Sequence, residues 1–215
     1  MIDTVIFDLG GVIVDIDRDR SVKAFEALGL KEAGSYLDPY HQSGIFLELE
    51  DGRLDAEGFC ERLGRLCGRP VSFLQAQQAW MKFIAGVSVE KLAYVDSLRK
   101  DYRVCLLSNT NPFIMEWARS PRFTPAGRAL DDYFDQLFLS YIRKCVKPHR
   151  KIFRDMTDTL GTAPENALFI DDGPANIATA KTMGFITLMP ENRTNWIPDV
   201  QKVLANSVTS RNRER

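Results

Sequence analysis

The chain has 215 residues, 45% of them hydrophobic, which is enough to bury a full core in one large domain or in one domain carrying an insertion. With 28 basic and 29 acidic residues the formal net charge is −1, so nothing in the charge balance favours nucleic acid or an anionic membrane as a partner. Cys60, Cys67, Cys105 and Cys145 form no C-x-x-C pair, and His41 and His149 have no cysteine at ligand spacing. The expectations are reduced thiols, no zinc site, no signal peptide, no membrane span and a cytoplasmic protein.

The first predicted strand is the apolar run Val5 to Val14, interrupted by Asp8 and by Gly10-Gly11. A strand of a parallel sheet buried on both faces reads this way, and its functional group sits at its carboxyl end. A charged turn, Asp15 to Arg20, leads to a helix with Val22, Phe25 and Leu28 on one face, stopped at Gly29. From there to Gly86 no strand pattern occurs. Leu54-Asp55 opens a helix bearing Phe59, Leu63, Leu66 and Cys67, and the capping-box pattern Ser72 to Gln75 opens another bearing Ala76, Trp80, Phe83 and Ile84. The α/β rhythm then resumes. A helix with Val89, Leu92, Val95 and Leu98 precedes the strand Arg103 to Leu107, which ends in Ser108-Asn109-Thr110-Asn111. A less regular stretch leads to a short strand in Tyr133 to Leu139. After Lys147-Pro148 comes a helix with Ile152, Phe153, Met156 and Leu160, stopped at Gly161. The strand Ala167 to Ile170 stops at Asp171-Asp172-Gly173, Pro174 starts a helix that ends at Gly184, and Phe185 to Leu188 is the last strand. A closing helix from about Trp196 to Leu204 precedes a polar tail, 207–215, expected to be disordered.

This alternation predicts an α/β fold, a doubly wound, Rossmann-like parallel sheet with a small all-helical cap inserted. The core is expected over 1–15 and 87–215, and the cap over 16–86. The strand ends would deliver Asp8, Ser108 and Asp171-Asp172 to one edge. Three acids in one crevice repel one another unless a cation joins them, and Mg²⁺ suits such oxygen ligands while leaving positions for a substrate phosphate. Ser108 and the N–H groups around Asn109 could donate to phosphate oxygens, Lys147 could balance their charge, and a carboxylate nucleophile would divide phosphoryl transfer into two steps.

With these residues in view, the chain resembles the haloacid dehalogenase superfamily over essentially its whole length. Four motifs occur in order: Asp8-Leu9-Gly10-Gly11-Val12, Leu106-Leu107-Ser108-Asn109, Lys147-Pro148, and Phe169-Ile170-Asp171-Asp172-Gly173-Pro174-Ala175-Asn176. The helical insertion lies where members with a C1-type cap carry theirs. The resemblance implies that Asp8 is the nucleophile and a metal ligand, that the Gly10 carbonyl and Asp172 are further ligands, and that Asp171 acts beside them directly or through water. It gives Ser108 and Asn109 the phosphoryl oxygens, Lys147 the positioning of Asp8 and phosphate, and Asn176 a place near the metal.

One position departs from the pattern. The family's phosphatases usually carry a second Asp two residues after the nucleophile as general acid and base; here it is Gly10. Asp15 or Asp17 could replace it, the leaving group could need little protonation, or turnover could be slow or absent. The run from Phe7 to Asp17, with Leu107 to Asn111, looks like the bacterial α-D-glucose-1-phosphate phosphatases of this superfamily, which favours a sugar 1-phosphate and its more acidic leaving oxygen. The expected function is Mg²⁺-dependent hydrolysis of a small phosphorylated metabolite by a monomer or homodimer. The alternatives are a weak or inactive protein that binds a phosphorylated ligand or protein partner, and a carbon–halogen hydrolase. Trp80, Phe83 and Phe59 are expected in the cap core, and the acids of Phe46 to Gly52 on a solvated face. His41 reads as either surface or cap-facing.

Overall fold

The computed structural model describes Met1 to Arg213 apart from Pro39 and His41, with side chains described as far as Ser207. Five parallel strands form the central sheet: β1 (Thr4–Phe7), β4 (Arg103–Ser108), β5 (Gln136–Leu139), β6 (Ala167–Ile170) and β7 (Ile186–Leu188), in the spatial order β5-β4-β1-β6-β7. The register sets Phe7 beside Leu106 and Ile170, so β1 and β6 end together and β4 runs two residues farther along the same edge. Alternate side chains of these strands enter two cores. Val5, Phe7, Val104, Leu106, Leu168 and Ile170 face α6 (Val89–Leu98) and α11 (Ile197–Arg213). Ile6, Cys105, Leu107 and Phe169 face α9 (Arg150–Leu160) and α10 (Pro174–Thr182). The predicted doubly wound sheet is therefore the observed one.

The first apolar run is two strands, not one. After β1 the chain turns at Gly10-Gly11 and forms β2 (Val14–Ile16), which pairs antiparallel with β3 (Ile84–Val87). Both ends of the insertion thus lie in one short ribbon, where a charged turn and the end of a helix were expected. Between them the chain is helical: α1 (Arg18–Ala27), α2 (Ala33–Tyr36), α3 (Gly44–Glu50), α4 (Ala56–Cys67) and α5 (Phe73–Met81). The capping box of Ser72 and Gln75 forms as expected, and Asp55 caps α4 by accepting from the Gly58 N–H. Phe25, Phe46, Phe59 and Trp80 pack edge-on or tilted, with ring centroids 4.9–6.2 Å apart, into the core of these helices. His41 lies outside the described residues.

Two short helices fill the stretches that read as irregular, α7 (Pro112–Ala118) and α8 (Ser140–Arg143). The inserted helices dock on α7: the Phe73 and Phe113 rings lie 4.7 Å apart, and Gln77 Nε2 donates to Glu116 and to the Phe113 carbonyl. Helix α11 runs to Arg213 instead of ending near Leu204, so the expected disordered tail begins in helix; Ser207 Oγ accepts from the Ile2 N–H. All four cysteines are free thiols. Among the described residues, no helix is long and apolar enough to cross a membrane.

Candidate active site

The common carboxyl edge of β1, β4 and β6 forms one wall of a cavity of about 90 Å³, and the inserted helices and β3 complete it. Asp8, Gly10, Ser108, Asn109, Lys147 and Asp172 all line this cavity. The sequence therefore brings together what the strand ends promised, with Asp171 immediately beneath. Asp8, 9% exposed, accepts from the Leu9 N–H at 2.7 Å and pairs with Lys147 Nζ at 2.9 Å.

Lys147 is the cation of the site. Its ammonium is buried and donates to Asp171 at 2.6 Å and to the Leu107 carbonyl at 2.9 Å. Burial alone would favour the neutral amine, but the charges of Asp171 and Asp8 outweigh it and hold the ammonium above its ordinary pKa. Asp171, fully buried, also accepts from the Gly173 N–H and from Asn176 Nδ2, so its oxygens are occupied. These contacts tie it to Lys147 and to the turn after β6. The more exposed Asp172 is left to face the cavity.

Oxygens of Asp8, Asp171 and Asp172 lie within 4.8 Å of one another. Three carboxylates around one lysine leave two negative charges uncompensated, a charge that fits a hard divalent cation, with oxygens of Asp8 and Asp172 open to hold it. Two further observations agree with that fit. Asn176 Oδ1 is buried with no hydrogen-bond partner, and Gly11, at φ +73°, lies so close to Asp172 that a Cβ would meet its Oδ2 at 2.0 Å. Gly10 is different: a Cβ there would meet only Ile16 Cγ2, at an ordinary 3.5 Å. Gly11→Ala should weaken Mg²⁺ binding by about tenfold or more, while Gly10→Ala leaves it nearly unchanged, as read by isothermal titration. Equal affinities for the two variants would mean that Asp172 does not bind the ion.

In the protein without metal, burial raises Asp8 to about 7, with the Asp171 and Asp172 charges adding to the effect of burial, and raises Asp172 to about 6. The folded state then prefers the protonated acids, so stability present at low pH is lost as pH climbs through this range. In EDTA the melting temperature is expected to fall from about pH 4 to about pH 7 and to level off above it, and Mg²⁺ should flatten the upper part of that fall. Equal slopes with and without Mg²⁺ would contradict the assignment.

Asn109 was expected to hold phosphoryl oxygens. Its side chain instead receives the Lys147 N–H at 2.8 Å and donates to the Lys147 carbonyl at 2.9 Å, a reciprocal pair that fixes the lysine loop against β4. Its backbone and its second amide hydrogen remain for a ligand. Ser108, at the end of β4, points its hydroxyl no farther than the Asn109 carbonyl, at 3.3 Å, and is free to turn to a phosphate. Neither candidate for the missing acid reaches the cavity. Asp15 faces buried Lys91 at 3.6 Å, and Asp17 caps α1 and pairs with Arg193 at 3.3 Å. Trp80 and Phe59 are core residues as expected, but Trp80 and Phe83 also line the cavity, and the Trp80 indole N–H has no partner.

The residue that sequence reading missed is Glu50. Placed on a solvated face by the charged pattern around it, it is instead buried and lines the cavity with Asp8. Periodicity carried a signal, since Glu50 follows Phe46 by one helical turn and shares its buried face.

A sequence model for haloacid dehalogenase-like hydrolases matches residues 2–184. The chain is 49% identical over 204 residues to a D-ribitol-5-phosphate phosphatase of Bacteroides thetaiotaomicron, covering 95% of this chain and 99% of that protein. Its fold matches a protein described as a predicted HAD-like family hydrolase from Porphyromonas gingivalis, at 45% identity and a TM-score of 0.91, with 95% and 98% of the two chains covered. It also matches a HAD family enzyme of B. thetaiotaomicron solved with magnesium and inorganic phosphate, at 32% identity and a TM-score of 0.82, covering 91% and 98%. Motifs, fold and relatives agree: this chain belongs to the haloacid dehalogenase-like hydrolase family.

Proposed function

We propose that this hydrolase is a Mg²⁺-dependent phosphatase of a small phosphorylated sugar or sugar alcohol, acting through an aspartyl-phosphate on Asp8. The observation that carries the reading is the buried Lys147 ammonium held between Asp8 and Asp171, beside Asp172, at the mouth of three strands. Asp8, Asp172 and the carbonyl of Gly10 would hold Mg²⁺, and Asp171 would orient Lys147. Bound there, the ion supplies positive charge against the phosphoryl oxygens.

The chain's own groups do the rest. Lys147 and the Ser108 hydroxyl draw the phosphoryl group toward Asp8, and Lys147 keeps one Asp8 oxygen oriented. The other oxygen attacks phosphorus. The P–O bond to the substrate breaks, and its oxygen leaves with a proton as the free alcohol. Water then attacks phosphorus, the acyl-phosphate bond breaks, and phosphate departs with the Asp8 carboxylate restored. The inserted helices serve as a cap, closing one side of a cavity of about 90 Å³ that suits a small metabolite.

Two considerations bear on the substrate. Leaving-group acidity at a site with Gly10, and the likeness of Phe7 to Asp17 and Leu107 to Asn111 to α-D-glucose-1-phosphate phosphatases, favour a 1-phosphate. The relative acting on D-ribitol 5-phosphate supports a different choice, an acyclic polyol phosphorylated at a terminal carbon. Trp80, whose indole N–H is unpartnered, and Glu50 both line the cavity and suit a polyhydroxylated ligand. Rates of phosphate release with Mg²⁺ from pentitol 5-phosphates, hexose 6-phosphates and hexose 1-phosphates decide this. The highest kcat/KM is expected for a pentitol 5-phosphate; a clear preference for 1-phosphates would restore the leaving-group reading.

A further inference from the structure

A terminal phosphate on a primary alcohol has a poor leaving group, and position 10 offers no acid to protonate it. We infer that Glu50, supplied by the inserted helices, is the general acid and base of this site, a role that rests on the phosphatase reading above. Three acids cluster at the end of α3, and they are not alike. Glu48 pairs with Arg62 and Asp51 with Arg53, whereas Glu50 has neither hydrogen bond nor ion pair among the described residues. It is only 7% exposed, and it lines the same cavity as Asp8, Ser108 and Lys147.

The chain builds this placement. Ile45, Phe46 and Leu49 anchor α3 in the core of the inserted helices, and Gly52 ends it at φ +73°. A Cβ on Gly52 would meet the Tyr141 carbonyl at 2.2 Å, so the turn presses the end of α3 onto α8, directly after β5. Glu50 is thereby fixed against the core while still belonging to the insertion. In-line displacement puts the leaving oxygen on the side of phosphorus opposite Asp8, away from the strand ends and toward the inserted helices. A buried carboxyl with no donor to stabilise its charge keeps its proton; burial, with the Asp8 charge adding to it, raises Glu50 to about 8. That proton passes to the alkoxide as the P–O bond breaks. The resulting carboxylate takes a proton back from the water that attacks the aspartyl-phosphate, so Glu50 ends each cycle as it began.

The test is the dependence of kcat/KM, with Mg²⁺, on leaving-group acidity across substituted phenyl phosphates, with D-ribitol 5-phosphate alongside. Wild type, Glu50→Gln and the double variant Glu50→Gln/Gly10→Asp are compared. Glu50→Gln should lose less than about threefold on nitrophenyl phosphate and about 10²-fold on phenyl phosphate and ribitol 5-phosphate, a steeper series than wild type. Since a Cβ at Gly10 makes no more than an ordinary contact with Ile16, Gly10→Asp should restore the shallow series in that background. A uniform loss across the series marks a binding or structural role and overturns the assignment, as does no loss. If wild type releases no phosphate from any of these esters, the phosphatase reading falls, and the role of Glu50 with it.

Discussion

Asp8→Asn is expected to lower phosphate release by on the order of 10⁴-fold or more, with no loss of fold. An amide oxygen is a poor nucleophile and brings no charge to the cation, so both functions of the residue go at once. Stability should respond in the opposite sense. The amide keeps an oxygen for the Leu9 N–H while removing a charge that sits among Asp171, Asp172 and Glu50. At pH 8 without metal, the variant should therefore melt no lower than wild type. Phosphate release within tenfold of wild type would mean that water attacks the substrate directly or that another group is the nucleophile.

Lys147→Met is expected to cost both activity and stability. The ammonium is buried and holds two carboxylates and the Leu107 carbonyl, so its removal leaves two acids facing each other without a cation. Breaking a buried pair in this way costs about 3–5 kcal/mol. The loss should be largest in EDTA at pH 8 and partly recovered by Mg²⁺ or by lowering the pH until Asp8 takes a proton. Activity at saturating Mg²⁺ should fall by about 10²- to 10³-fold, as for removal of one pre-organised donor to a reacting oxyanion. Chemical denaturation and phosphate release measure the two losses. A Lys147→Met protein as stable as wild type in EDTA would show that Asp8 and Asp171 do not carry their charges together.

The strand ends were legible because burial on both faces makes a strand an unbroken apolar run, so each polar stop marks the sheet edge: Asp8, Ser108 and Asp171 are such stops. The β2–β3 ribbon was not legible. Val14 to Ile16 continues the run of β1 across two glycines, and Ile84 to Val87 continues the helical pattern of α5. Helix α7 carried a readable start, with Asn111 as cap and Pro112 at the first position. Partners far along the chain were hidden: nothing local in Asp15 or Asp17 announces Lys91 or Arg193. The same holds for Asn109, whose residue type suits a phosphate as well as the Lys147 backbone it actually holds. Glu50 was masked by its neighbours, since Glu48 and Asp51 do face outward to arginines.

The most direct test of the central claim is inorganic phosphate release by the purified protein from D-ribitol 5-phosphate, with Mg²⁺ and with EDTA. The acid cluster around Lys147 predicts steady release with Mg²⁺, abolished by EDTA and recovered when Mg²⁺ is restored. Release that EDTA leaves unchanged would contradict the metal assignment of Asp8 and Asp172, and no release with Mg²⁺ from this or any other small phosphate ester would contradict the phosphatase itself.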